Sequence, residues 1–170
     1  MSRSHFALRY QLNSRFRFLI WYSNDLDGVV LDEQRGVPSF ATHEDLVAYA
    51  ESNDLPPIVE ETPILHNLDL VERWLRRKRP TRPECGELLS AWNLFGDVSA
   101  SIGGAFDGDR ERTQTIYQKL FWGTNIPAIT PPGKHYEPLW SGREYRIIRE
   151  TLREGLATFR KCVVPQGAVT

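Results

Sequence analysis

The sequence has few cysteines, and this limits both its redox chemistry and its covalent cross-links. Cys85 and Cys162 are the only two in 170 residues, and neither has C-x-x-C spacing. Two isolated thiols do not make a disulfide framework. We expect both to be small buried hydrophobic residues, on helices, in a protein of a reducing compartment.

Long apolar runs and an excess of one charge are also missing. No segment approaches the run of about 18 apolar residues that spans a bilayer, and residues 1–5 lead into a strand-like pattern instead of a signal peptide. Lys and Arg number 21 against 22 Asp and Glu, so no net field attracts nucleic acid or anionic lipid. We expect a cytoplasmic protein with no direct nucleic-acid or membrane partner.

Metal-binding patterns are absent too. The histidines are scattered without ligand spacing: His5, His43, His66 and His135. Asp25-Leu26-Asp27-Gly28 resembles the start of a calcium loop, but Gly36 occupies the twelfth position, where an EF-hand needs a bidentate Glu. We interpret this stretch as a turn and expect neither a metal nor an organic cofactor.

No segment has the pattern of a catalytic motif. Gly103-Gly104 follows a predicted helix, so it indicates a helix stop and not a phosphate-binding loop. No Ser-His-Asp or Cys-His arrangement follows from the spacing. We therefore predict a protein that is not an enzyme. The alternative is a small enzyme whose carboxylate or His site forms only in the fold, and a deep polar cleft with converging titratable groups would favour it.

Aromatic residues are plentiful, with five Trp, six Tyr and eight Phe, and they provide large side chains for a core. Period-two alternation predicts strands over 6–12 and 16–22. Helical spacing, caps and breakers predict five helices: 42–53, 67–79, 83–102, one around 116–121 that ends at Gly123, and one that begins after Ser141. We expect Trp92, Phe95, Leu152 and Leu156 to be central core residues.

The order of these segments predicts an α+β fold. Strands come before helices, which favours an N-terminal antiparallel sheet packed against a mainly helical C-terminal part over alternating βα units. We expect a single domain over residues 1–164 with a frayed tail over 165–170, and a monomer.

One basic run stands out, from Arg76 to Arg82. It could bind phosphates, and a nucleic-acid-binding regulator is a second alternative function. No aromatic residues alternate with its charges to stack on bases. We therefore interpret it as the solvated end of a helix, where cations oppose the helix dipole.

Four short sequence segments together resemble a known class of protein. They lie at residues 37–40, 67–75, 91–97 and 119–127 and read VPSF, NLDLVERWL, AWNLFGD and KLFWGTNIP. The combination resembles small bacterial immunity proteins of contact-dependent growth inhibition and polymorphic-toxin systems. The resemblance implies that the protein binds and neutralises a cognate toxin domain and needs no active site. It implies no particular functional residues.

A toxin partner suggests which residues would bind it. Many such toxins are nucleases with basic substrate clefts, so an inhibitor gains by presenting carboxylates that block the active site. The candidate partner-binding residues lie in two acidic stretches: Asp25, Asp27, Asp32 and Glu33 near the first turn, and Asp107 and Asp109 in a polar loop. Ordinary solvated turns are the alternative interpretation. The proline-rich segment 125–140 is a further candidate surface.

Overall fold

The computed structural model describes residues 3–79 and 81–167. The helices are α1 (His43–Ser52), α2 (Leu68–Arg76), α3 (Cys85–Ser101), α4 (Gln114–Gly123) and α5 (Gly142–Cys162). The strands are β1 (Ser4–Leu12), β2 (Arg15–Ser23), β3 (Gly28–Val29), β4 (Val37–Ser39), β5 (Ile58–Val59), β6 (Leu65–Asn67) and β7 (Val163–Pro165). Two short 3-10 helices, Asp107–Asp109 and Glu111–Thr113, precede α4.

Side-chain caps begin three of the helices, as the sequence predicts. Thr42 Oγ1 accepts a hydrogen bond from the Asp45 amide at 3.1 Å. Asn67 Oδ1 accepts one from the Leu70 amide at 2.9 Å, so Asn67 caps α2. Ser141 and Glu144 form a complete capping box at the start of α5. Each cap satisfies amide groups that have no partner within their own helix.

The α+β class is confirmed, but the sheet is mixed rather than purely antiparallel. β2 pairs antiparallel with both β1 and β3. β5 and β6 follow α1 in the chain and pair parallel with β1 on its other side. A crossover through a helix brings the chain back in the same direction, which favours parallel pairing. The strand alternation within residues 6–22 could not reveal these two short strands.

The sheet lies between two helical layers. Leu19 and Ile20 are neighbours on β2 and are both buried, so their side chains pack against opposite faces. Leu19 belongs to the main core with α2, α3, α4 and α5, whereas Ile20 packs with Leu46 and Ala50 of α1. The sequence-based prediction of a sheet packed against a mainly helical C-terminal part did not specify which face of the sheet the helices cover.

The predicted core residues are buried as expected. Trp92 and Phe95 of α3 are 2% and 1% exposed, and Leu152 and Leu156 of α5 are 0% and 5% exposed. A Cβ at Gly155 would lie 2.3 Å from Phe95 Cδ2, so only glycine allows α5 to approach α3 this closely.

Two predictions need correction, the frayed C-terminal tail and the burial of the cysteines. Pro165 belongs to β7, which pairs parallel with β4, and the Gln166 amide donates to Ser39 O at 2.8 Å, so these residues are not frayed. Residues 168–170 of the predicted tail lie outside the described part of the chain. Cys85 and Cys162 are only half-buried, because they are the first residue of α3 and the last of α5. No helix in the described part is long and apolar enough to cross a membrane.

Candidate functional site: an acidic cleft beside the sheet

A cleft of about 1080 Å³ opens between the sheet and α3. Its walls come from five separate parts of the chain: the first half of β1, the end of β2 with the turn after it, residues 59–66, α3, and the segment from Gly108 into α4. Pairing of β1 with β2 and packing of α3 on the sheet bring these segments together. The cleft is therefore a product of the tertiary fold and not of any one motif.

Aromatic rings form much of its wall. Phe6 and Trp21 face each other across β1 and β2, with ring centroids 5.5 Å apart. Trp92 of α3 packs edge-on against Tyr117 of α4 at 6.3 Å. Such rings offer large, rigid contact surfaces, and their faces also attract cations.

Four aspartates line the same cleft: Asp25, Asp27, Asp97 and Asp109. Burial is the main reason that the pKa of the Asp97 carboxyl is raised, and the negative charges of Asp27 and Asp109 raise it further. Trp21 Nε1 donates to Asp97 Oδ2 at 2.8 Å and partly offsets these effects. Partial burial also raises the pKa of Asp109. Carboxylates whose charges act together on one partly buried carboxyl group form a region of negative potential that favours a cation.

The turn that carries Asp25 and Asp27 is held by its own polar side chains. Asn24 Oδ1 accepts from the Leu26 amide at 2.8 Å, and Ser23 Oγ donates to Asp27 Oδ1 at 2.8 Å. These are the short-range bonds that make Asn, Ser and Asp common in turns. Asp27 therefore has a role in the turn as well as a position in the cleft.

A glycine places Asp109 beside α3. A Cβ at Gly108 would lie 2.4 Å from Trp92 Nε1, so a larger residue could not approach the helix at this point. The Asp109 carboxylate then lies over Gly96, where a Cβ would be 3.5 Å from Oδ1. The close approach therefore depends on the glycine at position 108, whereas a Cβ at position 96 would make only ordinary van der Waals contact.

Two large apolar side chains at the cleft are strongly exposed. Leu26 is 80% exposed at the tip of the β2–β3 turn, and Ile64 is 78% exposed. Ile64 lies in residues 60–64, which leave the sheet between β5 and β6. Exposed apolar residues beside a cleft are typical of surfaces that bind a protein partner.

The structure brings together three of the six predicted partner-binding residues. Asp25, Asp27 and Asp109 share the cleft, although 82 residues separate Asp27 from Asp109 in the sequence. Asp32 does not line it, since its Oδ1 accepts from the Gln34 and Gly36 amides within a turn. Glu33 lies outside it as well.

Asp107 also has a structural role. It is 9% exposed, and its carboxylate forms ion pairs with Arg112 and, at 3.2 Å, with Arg110 Nε. The segment expected to be a polar loop is in fact packed, because the buried Thr113 hydroxyl bonds to the carbonyl of Gly108 at 2.9 Å. Asp107 therefore does not line the cleft, and its ion pairs hold the segment that carries Asp109.

Sequence reasoning missed Asp97 and Trp21. Asp97 is the only charged residue between Glu87 and Asp107, within an otherwise apolar and small-residue helix, and that isolation was an available signal. Trp21 was interpreted only as part of an alternating strand. Its indole bond to Asp97 joins residues 76 positions apart and could not be inferred from spacing.

The cleft also contains His66, and burial is the main cause of the lowered pKa of its imidazole. A neutral imidazole can accept a proton or bind a metal. Within residues 3–79 and 81–167, however, no group of three or more His, Cys, Asp or Glu side chains is placed to hold a metal ion.

Comparisons with known proteins establish only the fold. No model of a known protein family matches the sequence, and no curated protein is detectably similar to it. The fold is similar to the crystal structure of the SatS C-terminal domain in complex with bromine, with a TM-score of 0.51. That match covers 96% of this chain and 94% of the other, at 9% sequence identity. The likeness to immunity proteins stays a prediction.

Proposed function

We propose that this protein is a cytoplasmic immunity protein that binds a cognate toxin domain, a nuclease, and blocks its active site. The supporting observation is the cleft itself, which four aspartates and several aromatic side chains line together. A basic element of the toxin would enter the cleft and pair with Asp25, Asp27, Asp97 and Asp109. The partner is therefore a protein, and the immunity protein acts as a monomer.

Charge complementarity is the first argument for such a partner. Nuclease clefts are basic because they hold phosphates, so an acidic cleft competes for the same cationic groups. Burial, the main cause of the raised pKa values of Asp97 and Asp109, makes the ionised form of each carboxyl group less favourable in the folded protein. A bound Arg or Lys would relieve that cost, which makes binding more favourable.

Apolar anchoring is the second argument. Leu26 and Ile64 expose most of their surface beside the aspartates, so a partner can bury them while its cations meet the carboxylates. Protein interfaces combine a few buried apolar anchors with a polar rim in this way.

The test begins with the toxin-like open reading frame adjacent to the gene, if the genome has one. Its C-terminal domain should co-purify with this protein, and co-expression should prevent the growth arrest that the domain causes alone. The proposal would be contradicted if no such open reading frame is present. It would also be contradicted if the C-terminal domain that it encodes neither co-purifies with this protein nor is neutralised by it.

Association kinetics then locate the binding surface. Asp25→Lys with Asp27→Lys should lower the on-rate about 10-fold or more at low salt, and the effect should shrink as salt rises. The matched control is Glu44→Lys with Glu51→Lys, which makes the same charge change on α1, against the other face of the sheet. Equal effects of the two double variants would show that net charge, and not the cleft, governs association.

A small enzyme is the second candidate, and the same cleft favours it. Asp97 and Asp109 both have raised pKa values, and a pair of carboxylates can act as general acid and base. Screening for hydrolysis of glycoside and ester substrates would test this candidate. Activity abolished by Asp109→Asn in a protein that still melts normally would favour the enzyme over the binding protein.

A further inference from the structure

A second charged region lies on α2 and α5, and we call it the basic surface. It comprises the run Arg76–Arg79 with Arg146, Arg149, Arg153 and Arg160 of α5. The four α5 arginines recur at spacings of three, four and seven, which place them on one side of the helix. None of the basic surface lines the acidic cleft.

Contacts between α2 and α5 join the run and the arginine row into one surface. Arg160 Nη1 lies 2.8 Å from Glu72 Oε1, in the middle of α2. At the C-terminal end of α2, Arg149 Nη2 donates to the carbonyls of Leu75 and Arg77, and Arg153 Nη2 donates to that of Leu75. The two helices are therefore antiparallel, and the basic run that follows α2 passes beside Arg149.

These contacts orient the arginines without neutralising most of them. Arg149 and Arg153 bond to neutral carbonyl groups, so their charges have no carboxylate partner among those bonds. Glu72 is shared by Arg160 and Arg76, which lie 2.8 and 3.1 Å from the same oxygen. A guanidinium has five N–H donors, so each arginine keeps donors for an outside ligand.

Carboxylates nearby are too few to balance this charge. Asp69 is bound by the amides of Asn13 and Ser14, and Glu144 by Lys119. On α2 and α5 this leaves Glu72, Glu150 and Glu154 against the eight cationic side chains of the basic surface. The local charge is therefore strongly positive, although the net charge of the protein is −1.

We propose that the basic surface binds the phosphate backbone of a nucleic-acid duplex. From Arg146 to Arg160 the row extends about 21 Å along the helix, which corresponds to about six base pairs. Arginines held in fixed positions can bind phosphate groups well, because a phosphate accepts two parallel hydrogen bonds from one guanidinium. This differs from the sequence-based expectation of no direct nucleic-acid partner, because that expectation did not place the α5 arginines beside the run.

Other anionic ligands fit less well. Single strands bind through bases stacked on aromatic rings, and the basic surface contains no aromatic residue. Helices that bind lipid insert apolar side chains, but none of the large exposed apolar residues lies on α2, on α5 or in residues 77–79 and 81–82. The inference is independent of the proposed function, since it uses no residue of the cleft.

Fluorescence anisotropy with a labelled duplex of about 20 base pairs tests the proposal. Wild type should bind at about 50 mM salt, with log affinity falling linearly against log salt. Lys78→Glu with Arg146→Glu should weaken binding at least about 10-fold and make that slope shallower by about two. Neither side chain makes a hydrogen bond or ion pair within the described residues, so the fold should persist, and circular dichroism checks this.

The matched control is Arg35→Glu with Lys134→Glu, two exposed cations outside the basic surface. It changes the net charge equally and should alter the affinity by less than about twofold. Equal weakening by both variants, or no binding by wild type, would overturn the proposal. Stronger binding to a single strand or to phosphatidylglycerol vesicles than to the duplex would also overturn it.

Discussion

The two charged regions of the molecule differ in what holds their like charges together. In the cleft, Asp97 and Asp109 are partly buried and Asp97 lies close to other carboxylates, so its ionised form is disfavoured. On the basic surface, Arg149 and Arg153 bond to carbonyls at the end of α2, whose dipole favours cations. The ionised carboxylates of the cleft are therefore destabilised, and a cationic ligand can relieve this destabilisation. The arginines of the basic surface, in contrast, also stabilise the fold.

Trp92→Ala should have the largest effect on stability, because Trp92 belongs to both the core and the cleft wall. Removing a buried aromatic side chain costs about 3–5 kcal/mol. Urea unfolding followed by circular dichroism measures this loss. The exposed Trp122 provides the control, since Trp122→Ala should cost less than about 1 kcal/mol. Similar losses for both variants would show that Trp92 does not anchor the core.

Arg149→Ala should come next, because it tests the structural role of the basic surface. The variant loses the bonds to the Leu75 and Arg77 carbonyls at the end of α2, which should cost about 1–2 kcal/mol. Arg146→Ala is the matched control on the same helix and should change the unfolding free energy by less than about 0.5 kcal/mol. If the two variants unfold at the same urea concentration, the carbonyl bonds do not support α2.

The sequence predicted the elements of the fold better than the way they assemble. Caps at Thr42, Asn67 and Ser141 are local, so their helices could be predicted to within a few residues. The predicted last turn of α2 did not form, because the chain is extended at Arg77, where arginines of a distant helix take the carbonyls. Parallel pairing of β5 and β6 with β1 also depends on long-range contacts that no local pattern contains.

The same distinction explains which site residues could be predicted. Asp25 and Asp27 stand out because they cluster in a turn, and the structure places both in the cleft. Asp32 and Asp107 looked similar in the sequence, but their oxygens are taken by turn amides and by arginines. Asp97 was missed because its importance comes from contact with Trp21. Composition identifies acidic segments, and only the fold shows which of them face one another.

Asp97→Asn should stabilise the protein while weakening partner binding. The folded-state pKa of Asp97 lies above its ordinary value, so ionisation favours the unfolded chain as pH rises through the interval between the two pKa values. The variant escapes this cost and should gain about 0.5–1 kcal/mol near neutral pH, since Asn can still accept from Trp21. Urea unfolding at several pH values measures the gain, which should vanish in acid. Glu33→Gln, outside the cleft, should produce no gain at any pH.

Glu72→Gln should have the smallest effect on stability and an opposite effect on binding. Arg160 is the main cause of the lowered pKa of Glu72, so its contribution is present above the ordinary pKa and is lost as pH falls through the folded value. The variant should lose about 0.5 kcal/mol near neutral pH yet bind the duplex about twofold more tightly. Weaker duplex binding would show that Glu72 matters by positioning the arginines more than by neutralising them.

Indole signals in the nitrogen-15 NMR spectrum test most directly whether the cleft receives a basic protein segment. Trp21 and Trp92 line the cleft, whereas Trp74 Nε1 donates to Thr81 O beside the basic run and serves as an internal control. An arginine- and leucine-containing peptide should shift the Trp21 and Trp92 signals, leave Trp74 unchanged, and lose this effect in the Asp25→Lys, Asp27→Lys variant. A peptide that shifts Trp74 alone, or shifts Trp21 and Trp92 equally in that variant, would contradict the account.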